Sequence, residues 1–107
     1  MVRFRSELYW GKAFEEEKKR QKLIKKLQNQ KWVKKDVTLI AYAVNGQDLF
    51  DLIPAYELKL PWRKEQELFV LGVGTDKEEA LEVVERMVME VYQATGEFAV
   101  REYFGTV

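Results

Sequence analysis

The chain has 107 residues, so a single domain is the expected count. It contains neither cysteine nor histidine, which removes disulfides, Cys/His zinc sites and the Ser-His-Asp and Cys-His catalytic arrangements. Its 18 basic and 18 acidic side chains cancel, but they are segregated. Residues 1–36 carry 12 basic and 5 acidic groups, and residues 37–107 carry 6 and 13.

With 47% hydrophobic residues the chain can build a core, and with 34% charged residues it can solvate the exterior. The longest apolar run is Leu39–Val44, far short of the ~20 residues of a membrane span. The start has no apolar stretch of a signal peptide, so a cytoplasmic location is expected.

In chain order, Val2–Arg5 alternates apolar and basic residues and reads equally as a short strand or an unstructured start. Ser6 to about Gln30 reads as a helix with Ser6 as N-cap, or as one that strengthens near Ala13 after a break at Gly11. Glu15, Glu16 and Glu17 precede Lys18, Lys19 and Arg20 at helix-stabilising spacings. Its apolar stripe (Tyr9, Ala13, Leu23, Leu27) is thin and broken by charge, so partial packing, or packing on a second subunit, is expected. Val37–Val44 is apolar and β-branched, and reads as a buried strand ending at the hairpin signal Asn45-Gly46. Leu49, Phe50, Leu52, Ile53 and Tyr56 favour a short helix over 47–53, with a return strand as the alternative. Glu57–Leu60 alternates as an edge strand would, Pro61–Gln66 reads as a loop, and Glu67–Val73 is a second buried strand.

Thr75 and Glu78 have capping-box spacing, and Gly96 supplies a left-handed stop, so a helix is predicted over 76–95. Ala80, Leu81, Val84, Met87, Val88, Val91 and Tyr92 form its apolar face, with Met89 near the back. Glu97–Phe104 alternates as a strand. The expected class is α+β: a small mixed β-sheet with one face covered by helix 76–95, in a two-layer sandwich, with a long basic N-terminal helix. A ferredoxin-like βαββαβ order with an insertion at 45–66 is one arrangement of these elements.

The most distinctive feature is a basic run. Between Glu17 and Asp36 no acid occurs, and the run holds Lys18, Lys19, Arg20, Lys22, Lys25, Lys26, Lys31, Lys34 and Lys35, with Trp32 among them. Such a patch suits phosphate backbones through counterion release, and an adjacent aromatic can stack on a base. Eight of the nine are lysine rather than the bidentate arginine, and the total charge is zero. Both facts favour a solvated face, or one that docks on the acidic half of its own chain or of a second copy.

Gly72-Val73-Gly74-Thr75 sits where phosphate turns sit, but its spacing is wrong and Asp76, Glu78 and Glu79 would repel a phosphate. Close packing explains those glycines better. Asp48 and Asp51, and Glu78, Glu82 and Glu85, are read as polar exterior rather than as cation ligands. Trp10, Trp32 and Trp62 lie beside charge and suit an interface, with Trp32 and Trp62 capping the ends of the sheet as the alternative. The expectation is a non-enzymatic interaction or regulatory module with a protein partner or a second copy. A nucleic-acid accessory role is the alternative, and an enzyme using tuned carboxylates a remote one. Metal, cofactor and membrane insertion are not expected.

Overall fold

The structure is a computed structural model and describes residues 2–29, 37–44 and 48–105. Four strands, β1 (Val2–Trp10), β2 (Thr38–Tyr42), β3 (Phe50–Pro54) and β4 (Leu68–Gly74), form one mixed sheet in the order β1-β4-β2-β3. β1 runs parallel to β4, whereas β2 is antiparallel to both β4 and β3. The helices are α1 (Glu17–Gln28), α2 (Pro61–Lys64), α3 (Lys77–Thr95) and α4 (Val100–Phe104), with a 3₁₀ turn over Ala55–Lys59. The molecule is therefore an α+β domain whose sheet packs against α3.

Strand alternation divides the core. Leu39, Ala41, Ile53, Leu68, Val70 and Val73 form one cluster, joined by Leu23 and Leu27 of α1 and Leu58 of the 3₁₀ turn. Ile40, Tyr42, Phe69 and Leu71 form another, joined by Ala80, Val83, Met87 and Val91 of α3 and by Val100 and Phe104 of α4. Successive strand residues point to opposite faces, so α1 and α3 lie on opposite sides of the sheet. Both central strands, β2 and β4, are buried throughout, as their apolar sequences require.

Several expectations are corrected. The helix expected from Ser6 does not begin there. β1 continues to Trp10 and α1 starts at Glu17. Phe4 pairs with Val70 and Tyr9 with Gly72, so Arg5, Ser6, Glu7 and Leu8 together oppose Leu71. This four-against-one bulge breaks the alternation that marks a strand in sequence. The 47–53 helix is replaced by β3, paired with β2 from Tyr42↔Phe50 to Thr38↔Pro54. The Asn45-Gly46 turn lies outside the described residues. Glu57–Leu60 is 3₁₀ rather than strand for most of its length, and Pro61 starts the one-turn helix α2, the first-turn position that a missing N–H suits.

Glu97–Phe104 is not a strand. Val100 and Phe104 are buried on one side of α4, a pairing four residues apart that fits a helical turn as well as alternation fits a strand. With no strand after α3 among the described residues, the ferredoxin-like order is not formed.

α3 follows the sequence closely. Its cap sits one residue later than the Thr75–Glu78 box. The Asp76 carboxylate accepts from Glu79 N–H at 2.8 Å, and the Glu79 carboxylate accepts from Thr75 N–H at 2.9 Å. Gly96 closes the helix at φ 76°. Ala80, Met87 and Val91 are buried as expected, together with Val83, but Leu81 and Tyr92 are 50% and 47% exposed.

Candidate functional site

α1 carries the described part of the basic run. At 100° per residue, Lys18, Lys19, Lys22, Lys25 and Lys26 fall within an arc of about 120°, and all five are exposed. Leu23 and Leu27 occupy the opposite side and anchor the helix to the sheet. One of the five, Lys19, reaches an acid, Glu16 at 3.9 Å, in an exposed pair of little energetic weight. Arg20 does not join them. Its guanidinium lies 5.1 Å from the centre of the Trp10 ring and donates to the Phe14 carbonyl, tying α1 to the end of β1. Lys31, Trp32, Lys34 and Lys35 lie outside the described residues.

The acidic field lies across the sheet. Glu78, Glu82 and Glu85 of α3 are exposed. By the same helical geometry they share an arc of about 100° with Leu81, Met89 and Tyr92, which are exposed as well. The sheet separates the lysine face from this acidic, partly apolar face, so neither helix covers the other. Tyr92 stacks on Phe98, centroids 5.1 Å apart, and extends the apolar strip beyond the helix end.

The other sequence candidates have structural explanations. A Cβ at Gly74 would lie 2.8 Å from the Ala80 nitrogen, and one at Gly72 would lie 3.0 Å from the Tyr9 carbonyl oxygen. The glycines thus permit close packing of α3 and β1 on β4. Asp51 stands in β3, where its carboxylate accepts from Val44 N–H, so it does not share a helical face with Asp48. Among the described residues no group of three or more acidic side chains is placed to hold a metal ion, and no helix is long and apolar enough to cross a membrane. Trp10 is partly buried and Trp62 is 52% exposed beside Arg63.

No family model matches the chain, and neither does any curated protein or solved structure.

Two hollows open on the surface of the sheet and its flanking helices. One, of about 620 Å³, lies between the bulged part of β1 and α1, lined by Phe4, Leu8, Trp10, Arg20 and Ile24 among others. A second, of about 270 Å³, lies at the end of the sheet near α4. Its floor belongs to an aromatic row that sequence reading missed. Phe50, Tyr42 and Phe69 stack across β3, β2 and β4 with ring centres 6.1 and 5.7 Å apart. Cross-strand neighbours of this kind become visible only once strand register is known. The Tyr42 hydroxyl donates to the Gly105 carbonyl at 2.6 Å, and burial pushes its pKa up, partly offset by nearby Arg101.

Proposed function

We propose that the chain is a non-catalytic interaction module of the cytoplasm that associates with a second copy of itself, the lysine face of α1 docking on the acidic and apolar face of α3. The carrying observation is the placement of these two helices on opposite sides of the sheet. Neither field can be neutralised within one chain, and each offers the other's complement to a neighbour. Lysine suits this contact. Its aliphatic stem can lie along Leu81, Met89 and Tyr92 while its ammonium meets Glu78, Glu82 or Glu85. A zero formal charge adds no overall repulsion between copies.

Such a contact is head-to-tail. Each copy keeps one unused face, so association continues beyond a dimer unless the rotation closes a ring. Sedimentation velocity tests this. At about 50 mM salt the mean mass should rise above the 12.7 kDa of one chain as concentration increases. It should return toward that mass at about 500 mM salt. A 12.7 kDa species at every concentration and salt level would remove the proposal.

A second reading is supported by the five outward lysines. Such an arc suits the phosphate backbone of a nucleic acid. It would appear as duplex binding at about 50 mM salt that weakens steeply as salt rises, with the slope reduced by roughly 2–3 when Lys18, Lys22 and Lys25 are neutralised.

A further inference from the structure

We propose that the hollow of about 270 Å³ between the start of β1 and α4 is a binding site for a small, singly charged oxyanion, a carboxylate or the monoanion of a phosphate, gripped by Arg3 and Arg101. The two arginines come from opposite ends of the chain and meet on the aromatic row. Arg3 pairs in register with Phe69, and its guanidinium lies 5.8 Å from the centre of that ring. Arg101 lies 4.8 Å from the centre of the adjacent Tyr42 ring and donates to the Ala43 carbonyl at 2.7 Å. A guanidinium resting on an aromatic face keeps its N–H edges free for planar, bidentate contact with an oxyanion.

Neither arginine takes part in an ion pair among the described residues. Arginines there do find carboxylates where carboxylates suit them, as Arg63 does with Glu57 at 3.1 Å and Arg20 with Glu17 at 4.0 Å. Each guanidinium has five N–H donors. A single Ala43 carbonyl accepts from Arg101, so most of the donors of the two groups are available. Two cations lining one hollow repel each other, and the single carboxylate in that lining, Glu67, offsets only one of the two charges.

The lining also sets the ligand class. Glu67 shares the hollow, so the formal charge of the lining is one positive, which favours a monoanion over a dianion. At about 270 Å³ the hollow lies near the lower end of small-molecule sites. That suits a small metabolite and not a polymer, which separates this site from the lysine face of α1 and from the association proposed above.

Titration of ¹⁵N-labelled protein with inorganic phosphate and, separately, with acetate, at constant ionic strength and mildly acidic pH where phosphate is chiefly its monoanion, tests the site through the arginine Nε–H resonances. Chloride serves as the matched control. Saturable shifts of the Arg3 and Arg101 signals are expected, with Arg5 and Arg86 little affected. Saturation by acetate as well as phosphate assigns the wider carboxylate class, and saturation by phosphate alone assigns the phosphoryl group. Arg3→Gln, at an exposed position with no hydrogen bond to lose among the described residues, should weaken binding about tenfold or more. Glu67→Gln should strengthen it. Arg101→Lys keeps the charge but loses the fork, and should bind more weakly than the parent chain. Shifts that rise linearly with concentration, that spread equally over all the arginines, or that persist unchanged in Arg3→Gln overturn the assignment. Arg3→Gln decides alone if Arg101→Lys does not fold.

Discussion

Tyr9 and Glu90 show how a single side chain can join elements far apart in sequence. The Tyr9 hydroxyl lies 2.8 and 2.7 Å from the two Glu90 carboxylate oxygens, so it ties β1 to α3 at a carboxylate that the Tyr103 hydroxyl also reaches. Burial, the hydrogen bond to Glu90 and the carboxylate's negative charge, in that order, push the Tyr9 pKa up to about 12. The folded value lies above the unfolded value near 10. The associated stability is therefore complete below about pH 10 and is lost as pH rises toward 12. Tyr42, raised by burial, acts in the same direction. The urea midpoint should fall over this alkaline range, and less steeply in Tyr9→Phe. At pH 7 that variant should lose about 1 kcal/mol, less than a fully buried bond to a charged acceptor because the pair is only part-buried. An equal alkaline slope in both proteins would contradict this account.

At the scale of elements, the junction between β4 and α3 is the most tightly specified. Gly74 ends β4, and a Cβ there would meet Ala80 backbone atoms at 2.8 and 3.0 Å. Backbone cannot swing aside as a side-chain tip can, so Gly74→Ala should cost about 1–3 kcal/mol in denaturant unfolding. Asp76→Ala removes the acceptor of Glu79 N–H and should cost about 1 kcal/mol. A Gly74→Ala loss no larger than that of Asp76→Ala would argue against tight packing at this junction.

The same junction was readable from sequence because each of its signals is local: a cap, a run of 3- and 4-spaced apolar residues, and Gly96 at the end. Elements whose form depends on distant partners were read less well. β3 carries apolar residues at helical spacing, but pairing with β2 makes it a strand. β1 conceals its strand character in the bulge against Leu71. The five residues of α4 permit either period, and packing of Val100 and Phe104 beside α3 selects the helix. The apolar face of α3 is narrower in the structure than its 3- and 4-spacing suggests, because Leu81 and Tyr92 turn outward.

For the whole molecule, the arrangement of charge is the testable property. Replacing Lys18, Lys22 and Lys25 by glutamate gives a chain with two acidic faces. Replacing Glu78, Glu82 and Glu85 by lysine gives one with two basic faces. All six positions are exposed, so both variants should fold. Each alone should remain monomeric at low salt, whereas an equimolar mixture should associate because each supplies the complement that the other lost. Association of either variant alone as readily as the parent chain would place the contact elsewhere. The lysine patch was visible in sequence as a run, but its outward aim was not, since that depends on which side of α1 Leu23 and Leu27 bury. The Arg3–Arg101 pair had no sequence signal, because its members are 98 positions apart and meet only through strand register and the docking of α4.

By itself the sequence determined what short-range physics controls: the α+β class, the two buried central strands, the start and stop of α3, and a charge division hidden within a neutral total. Tertiary structure alone decided the rest. It set the β1-β4-β2-β3 order, converted 50–54 to strand and 100–104 to helix, and placed the basic and acidic helices on opposite faces. Periodicity and capping report forces between near neighbours. Which face a helix covers is chosen by the packing of the whole chain, and that choice sets the two fields of this protein on opposite sides of the sheet.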